Sequence, residues 1–263
     1  MSAPDRSDEI LERLSGLEKA EVVRVCFAVE SGSRAWNFAS VDSDYDVRFI
    51  YVRRRDWYFS INVERRRDVI ELPICDALDI GGWDLRKACQ LFRKSNPPLI
   101  EWLHSPIESL DRFHLAGRLR ELLPLFFSPK ACSYHYLSMA RKNYRGYLTG
   151  DQVWTKKYFY LLRPLLAIRW MEYGLGIPPT DFTEMLEPTL DSPPLLAAID
   201  ELLEAKRSGG ELDLGPRIPP IHDYIDSELR RHEAQGGFAK RRPAKNVEKL
   251  DALLRETVEQ AWS

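Results

Sequence analysis

The spacing of apolar positions changes twice along the chain. In residues 8–18, Ile10, Leu11, Leu14 and Leu17 recur at helical intervals, and Asp8 and Glu9 stand in the first turn, where the helix dipole favours acids. A helix is predicted there. Residues 22–29 (VVRVCFAV) and 47–52 (VRFIYV) are dense in β-branched side chains and read as buried strands. Between them, Ser31-Gly32-Ser33-Arg34-Ala35-Trp36 reads as a turn entering a short helix. A third strand is predicted at 69–74, and Leu78-Asp79-Ile80 opens a fourth or continues the third. Helical spacing then returns over 83–92, with Leu85, Ala88, Cys89 and Phe92 on one face. Pro97-Pro98 breaks it, and a short helix is predicted from Leu99 to His104.

The second half has a different texture. Residues 112–123, 130–148 and 154–173 are helical runs separated by Pro or Gly. Residues 176–220 hold eight of the seventeen prolines and read as a loop-rich wrap with one helix near 194–206. A last helix is predicted over 246–261 from Val247, Leu250, Leu254, Val258 and Ala261. There is no repeat and no low-complexity tract. The expected class is α+β: a mixed sheet of five strands or fewer with flanking helices in residues 1–125, followed by an all-helical domain in 126–263.

Composition narrows the setting. With 263 residues the chain has ample length for a core. Its 38 basic and 40 acidic residues give a net charge of -2, so any surface for nucleic acid has to be local. No run of about 18 apolar residues offers a membrane span. The beginning of the chain is polar, and Cys26, Cys75, Cys89 and Cys132 form no C-x-x-C. These features predict a cytoplasmic protein with no membrane partner, no disulfide and no structural zinc.

The chemistry concentrates in Gly32-Ser33, nine residues, then Ser43-Asp44-Tyr45-Asp46-Val47. Two carboxylates at i and i+2 at the mouth of a strand project to one side. They repel each other unless a cation sits between them, and a pair of Mg²⁺ ions on such oxygens serves phosphoryl and nucleotidyl transfer. Gly32 lets the backbone come close to a triphosphate, Ser33 offers a hydroxyl and an amide, and Arg34 adds a positive charge. Each half also has an ordinary reading: D-x-D is common on surfaces, and G-S before a helix is a common turn. The conjunction, with a strand before the first half and a strand through the second, favours the functional reading.

With these residues the sequence resembles the DNA polymerase β-like nucleotidyltransferase superfamily. That pattern is a hydrophobic strand, G-S, then acid-hydrophobic-acid-hydrophobic, then a third acid between hydrophobics on a later strand. The strings GSRAW, DSDYDVRFIY, GWDLRKA and SNPPLIEWLHSP, with YHYLSMA and KKYFYLLRPLLAIRW further on, resemble a bacterial branch of predicted nucleotidyltransferases. That branch includes RNA-repair-associated polymerase β family proteins. The resemblance implies that Asp44 and Asp46 hold two Mg²⁺ ions and that a third carboxylate holds the catalytic metal and helps deprotonate the acceptor. Asp79 is the expected third acid, with Glu71 in Ile70-Glu71-Leu72 as the fallback; Asp84 reads as a first-turn helix residue. Asn96 reads as a helix cap and Glu101 as a surface ion-pair partner.

Residues 141–170 carry seven Lys or Arg against one acid, a local charge of +6, interleaved with seven aromatics. This reads either as a groove for an NTP or an RNA end or as helices with a basic solvent face and an aromatic core face. Lys156, Lys157 and Arg163 are the nucleotide-binding candidates, the last because Pro164 could aim it into a cleft. Three Arg or Lys runs, 53–55, 65–67 and 240–242, read as solvated edges or as guides for a polynucleotide.

The expected function is Mg²⁺-dependent transfer of NMP from an NTP, ATP foremost, to an acceptor hydroxyl, an RNA 3′ end foremost. The NTP is expected between the two domains. The alternatives are a protein adenylyltransferase, a small-molecule nucleotidyltransferase and a nucleotide- or RNA-binding module without turnover.

Overall fold

The computed structural model describes residues 5–209, 213–236 and 247–263. The chain begins with α1 (Ser7–Glu21), β1 (Arg24–Ser31), the single turn α2 (Gly32–Ala35) and β2 (Tyr45–Val52). The short α3 (Arg55–Tyr58), β3 (Val69–Glu71), β4 (Leu78–Asp84), α4 (Leu85–Phe92), α5 (Pro97–Leu103), β5 (Glu108–Asp111) and α6 (Leu115–Phe126) follow. Next come α7 (Pro129–Tyr147), β6 (Gln152–Trp154), α8 (Phe159–Glu172), α9 (Leu186–Thr189), α10 (Pro193–Arg207), β7 (Leu214–Pro216), α11 (Pro219–Ala234) and α12 (Glu248–Ala261). The fold is mixed, as expected, and divides into two compact units.

The sheet unit contains α1–α6 and α12 without the Trp36–Asp42 segment. Its five strands lie in the order β3-β4-β2-β1-β5. Only β2 and β4 run parallel; the other neighbours are antiparallel. From Val25 to Glu30, β1 is buried without interruption, as suits a strand covered on both faces. By contrast, β2 alternates at its start: Tyr45 and Val47 are buried while Asp46 and Arg48 are half-buried. That alternation puts a polar row on one face of the sheet.

Helix starts follow their local chemistry. Asp84 caps α4 by accepting from the Arg86 amide at 2.8 Å, so it sits one residue ahead of the helix it was expected to enter. Asn96 caps α5 through the Leu99 amide at 3.2 Å. Pro97-Pro98 opens that helix rather than preceding it, because a proline at N1 loses no helical hydrogen bond. Glu101 is buried, which corrects the expectation of a surface ion pair. The strand β5, Glu-Ser-Leu-Asp, was not anticipated: its sequence has no apolar alternation, and pairing with β1 makes it a strand.

The last helix departs from the expected organisation. α12 packs on α4 and β2 and belongs to the sheet unit. Leu250, Leu253, Val258 and Ala261 are its buried stripe, and the Trp262 indole donates to the Arg53 carbonyl at 2.9 Å. No helix among the described residues is long and apolar enough to cross a membrane.

The helical unit comprises Trp36–Asp42 and the elements α7–α11. It is not wholly helical: β6 and β7 form a two-stranded antiparallel ribbon, three residues a side, too short to leave a period in the sequence. α8 is apolar nearly all round and runs through the middle of the unit, against α7, α9 and α11. Phe38, from the short inserted segment, stacks on Phe159 at 4.5 Å and meets Phe182 edge-on at 5.7 Å. The Phe182 amide donates to the Trp36 carbonyl at 3.0 Å.

Asp84 ties burial to pH. Its residue is fully buried, and Tyr58 Oη donates to it at 2.8 Å. Burial dominates and pushes its carboxyl up to about 6, with the Tyr58 and Arg86 hydrogen bonds opposing. The native state therefore holds a proton between pH 4 and 6 that the unfolded chain has released, so stability from this group falls as pH rises through that window. We expect Asp84→Asn, which keeps an N-cap acceptor, to gain on the wild type by up to about 3 kcal/mol between pH 4 and 7. Urea unfolding of both proteins at several pH values measures this; a pH-independent difference would refute the burial account.

Candidate active site

Two turns and a strand pairing bring the predicted residues together in the sheet unit. β1 ends at Ser31, which pairs with Asp46 on β2. The chain then turns at Gly32, whose φ of +64° favours glycine. A Cβ on Gly32 would lie 2.0 Å from Asp46 Oδ2 and 2.8 Å from its Cγ. The glycine is therefore required by the approach of this chain's own carboxylate, besides any approach by a phosphate. Ser33 follows, half-buried in α2. Arg34 is occupied locally: its Nε donates to Glu30, and its guanidinium lies 4.1 Å from the centre of the Tyr45 ring.

The parallel pairing of β2 with β4 decides which acid accompanies the D-x-D. Asp46 stands directly opposite Asp79 in the register. Glu71 lies one strand further out, opposite Gly81. Asp44 immediately precedes β2, on the same pleat face as Asp46, and is exposed. Asp44, Asp46 and Asp79 therefore lie along one polar face, with Glu71 at its margin.

Burial pushes the Asp46 carboxyl above the ordinary aspartate range; Arg48 pulls it down, and the Asp79 and Asp44 charges push it up again. Arg48 is the member that the sequence reading missed. Its Nη2 donates to Asp46 Oδ1 at 3.0 Å and to Asp79 Oδ2 at 2.7 Å. Its Nη1 donates to the carbonyls of Asp79 and Val47 at 2.8 and 3.0 Å. The signal was present in the alternation Asp44-x-Asp46-x-Arg48, which extends the acid row by one cation on the same face.

The donor set suits a hard cation in kind, since carboxylate oxygens are the ligands Mg²⁺ prefers. Among the described residues no three Asp, Glu, His or Cys side chains are gathered to hold a metal ion. The positive charge between Asp46 and Asp79 is the Arg48 guanidinium.

The three nucleotide-binding candidates from the basic stretch lie in the helical unit. Lys156 Nζ is 5.8 Å from the Trp154 ring centre, and Lys157 Nζ is 4.6 and 4.7 Å from those of Tyr147 and Tyr160. Trp154, Lys156 and Tyr160 are exposed. Arg163 differs. It is 2% exposed, its guanidinium lies 4.8 Å from the Trp36 ring centre, and its Nη2 donates to the Thr180 and Pro179 carbonyls at 3.3 and 3.4 Å. The expectation that Pro164 aims Arg163 into a cleft is corrected: α8 continues through Pro164, and the guanidinium is a strut in the core of this unit.

Of the other basic runs, Arg53 donates to the Glu21 carbonyl at 3.0 Å and Arg67 to the Val69 carbonyl at 2.8 Å. The guanidiniums of Arg54, Arg55 and Arg66 lie over Trp262, Phe59 and Trp57. Lys240-Arg241-Arg242 lies outside the described residues.

The Gly32 geometry is directly testable. Gly32→Ala forces a side chain into a left-handed backbone and against Asp46, and we expect a loss of about 1–3 kcal/mol. Thermal or urea unfolding reads this, and an unchanged midpoint would show that the Asp46 carboxylate does not need the glycine.

Relatives place the chain. It is 50% identical over 253 residues, 96% of each chain, to the uncharacterized protein YcgL of Bacillus subtilis (strain 168). Among solved structures, a nucleotidyltransferase-like protein from Exiguobacterium sibiricum 255-15 matches 94% of this chain and 80% of its own at 13% identity, with a TM-score of 0.34. Matched over residues 7–256, nearly its whole length, this chain belongs to the RNA repair pathway DNA polymerase beta family.

Proposed function

We propose that the sheet unit is the catalytic module of a Mg²⁺-dependent nucleotidyltransferase that moves NMP from an NTP, ATP foremost, to the 3′ hydroxyl of an RNA. The observation that carries the reading is the β2–β4 register, which sets Asp46 beside Asp79 with Asp44 two residues earlier on the same face. Asp44, Asp46 and Asp79 are the residues that would hold the ions. Bound Mg²⁺ supplies charge neutralisation for the triphosphate and lowers the pKa of the attacking hydroxyl.

The chain's own groups then divide the work. Gly32 and Ser33, at the end of β1, offer a close backbone approach and a hydroxyl to the phosphates. Asp79, the third acid of the family pattern, is assigned to the proton of the acceptor hydroxyl. Attack of that oxygen on the α-phosphorus forms the new phosphodiester as the bond to the β-phosphate oxygen breaks, and pyrophosphate leaves. Arg34 is committed to Glu30 and Tyr45, so its part in this reading is to hold α2 in place.

An RNA acceptor is supported by the family description and by the exposed cation and aromatic groups around Lys156 and Lys157. Ammonium groups beside exposed rings suit phosphates and stacked bases.

The test uses the full chain, Mg²⁺ and each α-labelled NTP, with RNA ending in a 3′ hydroxyl or a blocked 3′ end. We expect label on the open RNA only, and about a 10²–10⁴-fold lower rate for Asp46→Asn and for Asp79→Asn. Label on added protein or on an aminoglycoside would replace the acceptor. NTP or RNA binding with no pyrophosphate released under any condition would replace catalysis with binding alone.

A further inference from the structure

On the polar face of the sheet, Arg48 does what a metal ion would do. A single nitrogen, Nη2, bridges Asp46 and Asp79, the two carboxylates that the strand register sets side by side. The other, Nη1, is anchored on the Asp79 and Val47 carbonyls, so the guanidinium is held by four hydrogen bonds. All three side chains are partly buried, with 22% of Arg48, 29% of Asp46 and 35% of Asp79 exposed, and such pairs are screened less than fully exposed ones.

The surroundings give the guanidinium room. Arg48 is paired in register with Gly81, which has no side chain to cover it. A Cβ at Gly81 would be 3.7 Å from Arg48 Nη1 and also 3.7 Å from Glu71 Cγ. Glu71 thus lies across the bare glycine from Arg48, on the same polar face, and the guanidinium has a third carboxylate to turn to.

We propose that Arg48 is a resident counter-cation: it occupies the interval between Asp46 and Asp79 in the metal-free protein and yields it, turning toward Glu71, when a divalent ion binds. This rests on the metal-binding role proposed above for Asp46 and Asp79. Two carboxylates left bare on adjacent strands would repel, so the guanidinium keeps the site assembled between turnovers. It also sets a threshold, because an incoming ion competes with a positive charge already bound to the same oxygens. Arg48 is in this sense a positioning residue, acting through the carboxylates.

The experiment titrates Mn²⁺ alone, without NTP, into the full-length wild type, Arg48→Gln, Arg48→Lys and Asp46→Asn, following free Mn²⁺ by electron paramagnetic resonance. Thermal melts are run in parallel with and without the ion. We expect Arg48→Gln to bind Mn²⁺ about tenfold more tightly than the wild type. Its metal-free form should melt lower and gain more from Mn²⁺. Lys, with one ammonium in place of a planar fork, spans two carboxylates less well, so Arg48→Lys should fall between the two. That variant carries the test if Arg48→Gln does not fold. Asp46→Asn should lose binding. Equal or weaker Mn²⁺ binding by the folded Arg48 variants overturns this inference while leaving the metal reading in place. No Mn²⁺ binding by any of the proteins overturns both.

Discussion

Carboxylates held side by side on neighbouring strands repel, and the polar face of the sheet unit is organised by that repulsion. The parallel pairing of β2 and β4 fixes Asp46 opposite Asp79. Burial raises the cost of charging Asp46, and the neighbouring acids raise it further. Arg48, two residues along the same strand face, meets the charge of both. The glycine at position 32 has its left-handed backbone where Asp46 leaves no room for a side chain. The two halves of the sequence motif are thus in direct steric contact through one carboxylate.

Seven of the nine residues between those halves have an unexpected allegiance. Trp36–Asp42 belongs to the helical unit, where Phe38 fills the core beside Phe159 and Phe182. Asn37 Nδ2 donates to Asp181 at 2.8 Å, and Lys206 Nζ donates to Ser40 Oγ at 3.1 Å. Trp36 also meets the buried guanidinium of Arg163. A buried cation needs acceptors and benefits from an aromatic face, and here it has both. This stretch is therefore part of a hydrophobic core rather than a slack connection between Gly-Ser and the aspartates.

Asp44, Asp46 and Asp79 were singled out in the sequence by local signals. Strand texture on either side of G-S, a period-2 pair of aspartates and an acid between apolar residues are each contained in a few positions. Asp79 over Glu71 was a preference from local pattern; the register gives it a geometric basis, since only Asp79 stands opposite Asp46. The missed residue, Arg48, was visible in the same alternation, but an arginine on a strand face has no meaning until the charges opposite are known. Arg163 failed in the other direction: the proline after it suggested a break that would aim the guanidinium into a cleft, whereas α8 continues through Pro164 and is buried on nearly every side.

The sequence by itself determined the mixed class, the main helices and central strands, the cap at Asn96, and the Gly32…Asp44-x-Asp46 motif, because these follow from backbone propensity and period within one element. Tertiary structure alone decided that α12 joins the sheet, that β5 and the β6–β7 ribbon are strands, that Trp36–Asp42 leaves the sheet unit, and which cation faces Asp46 and Asp79. An amphipathic stripe specifies that a helix must bury a face but not against what. A short polar strand has no period, and only its partner's hydrogen bonds make it one. Charge pairing across strands depends on register, which is set by residues far apart in the chain.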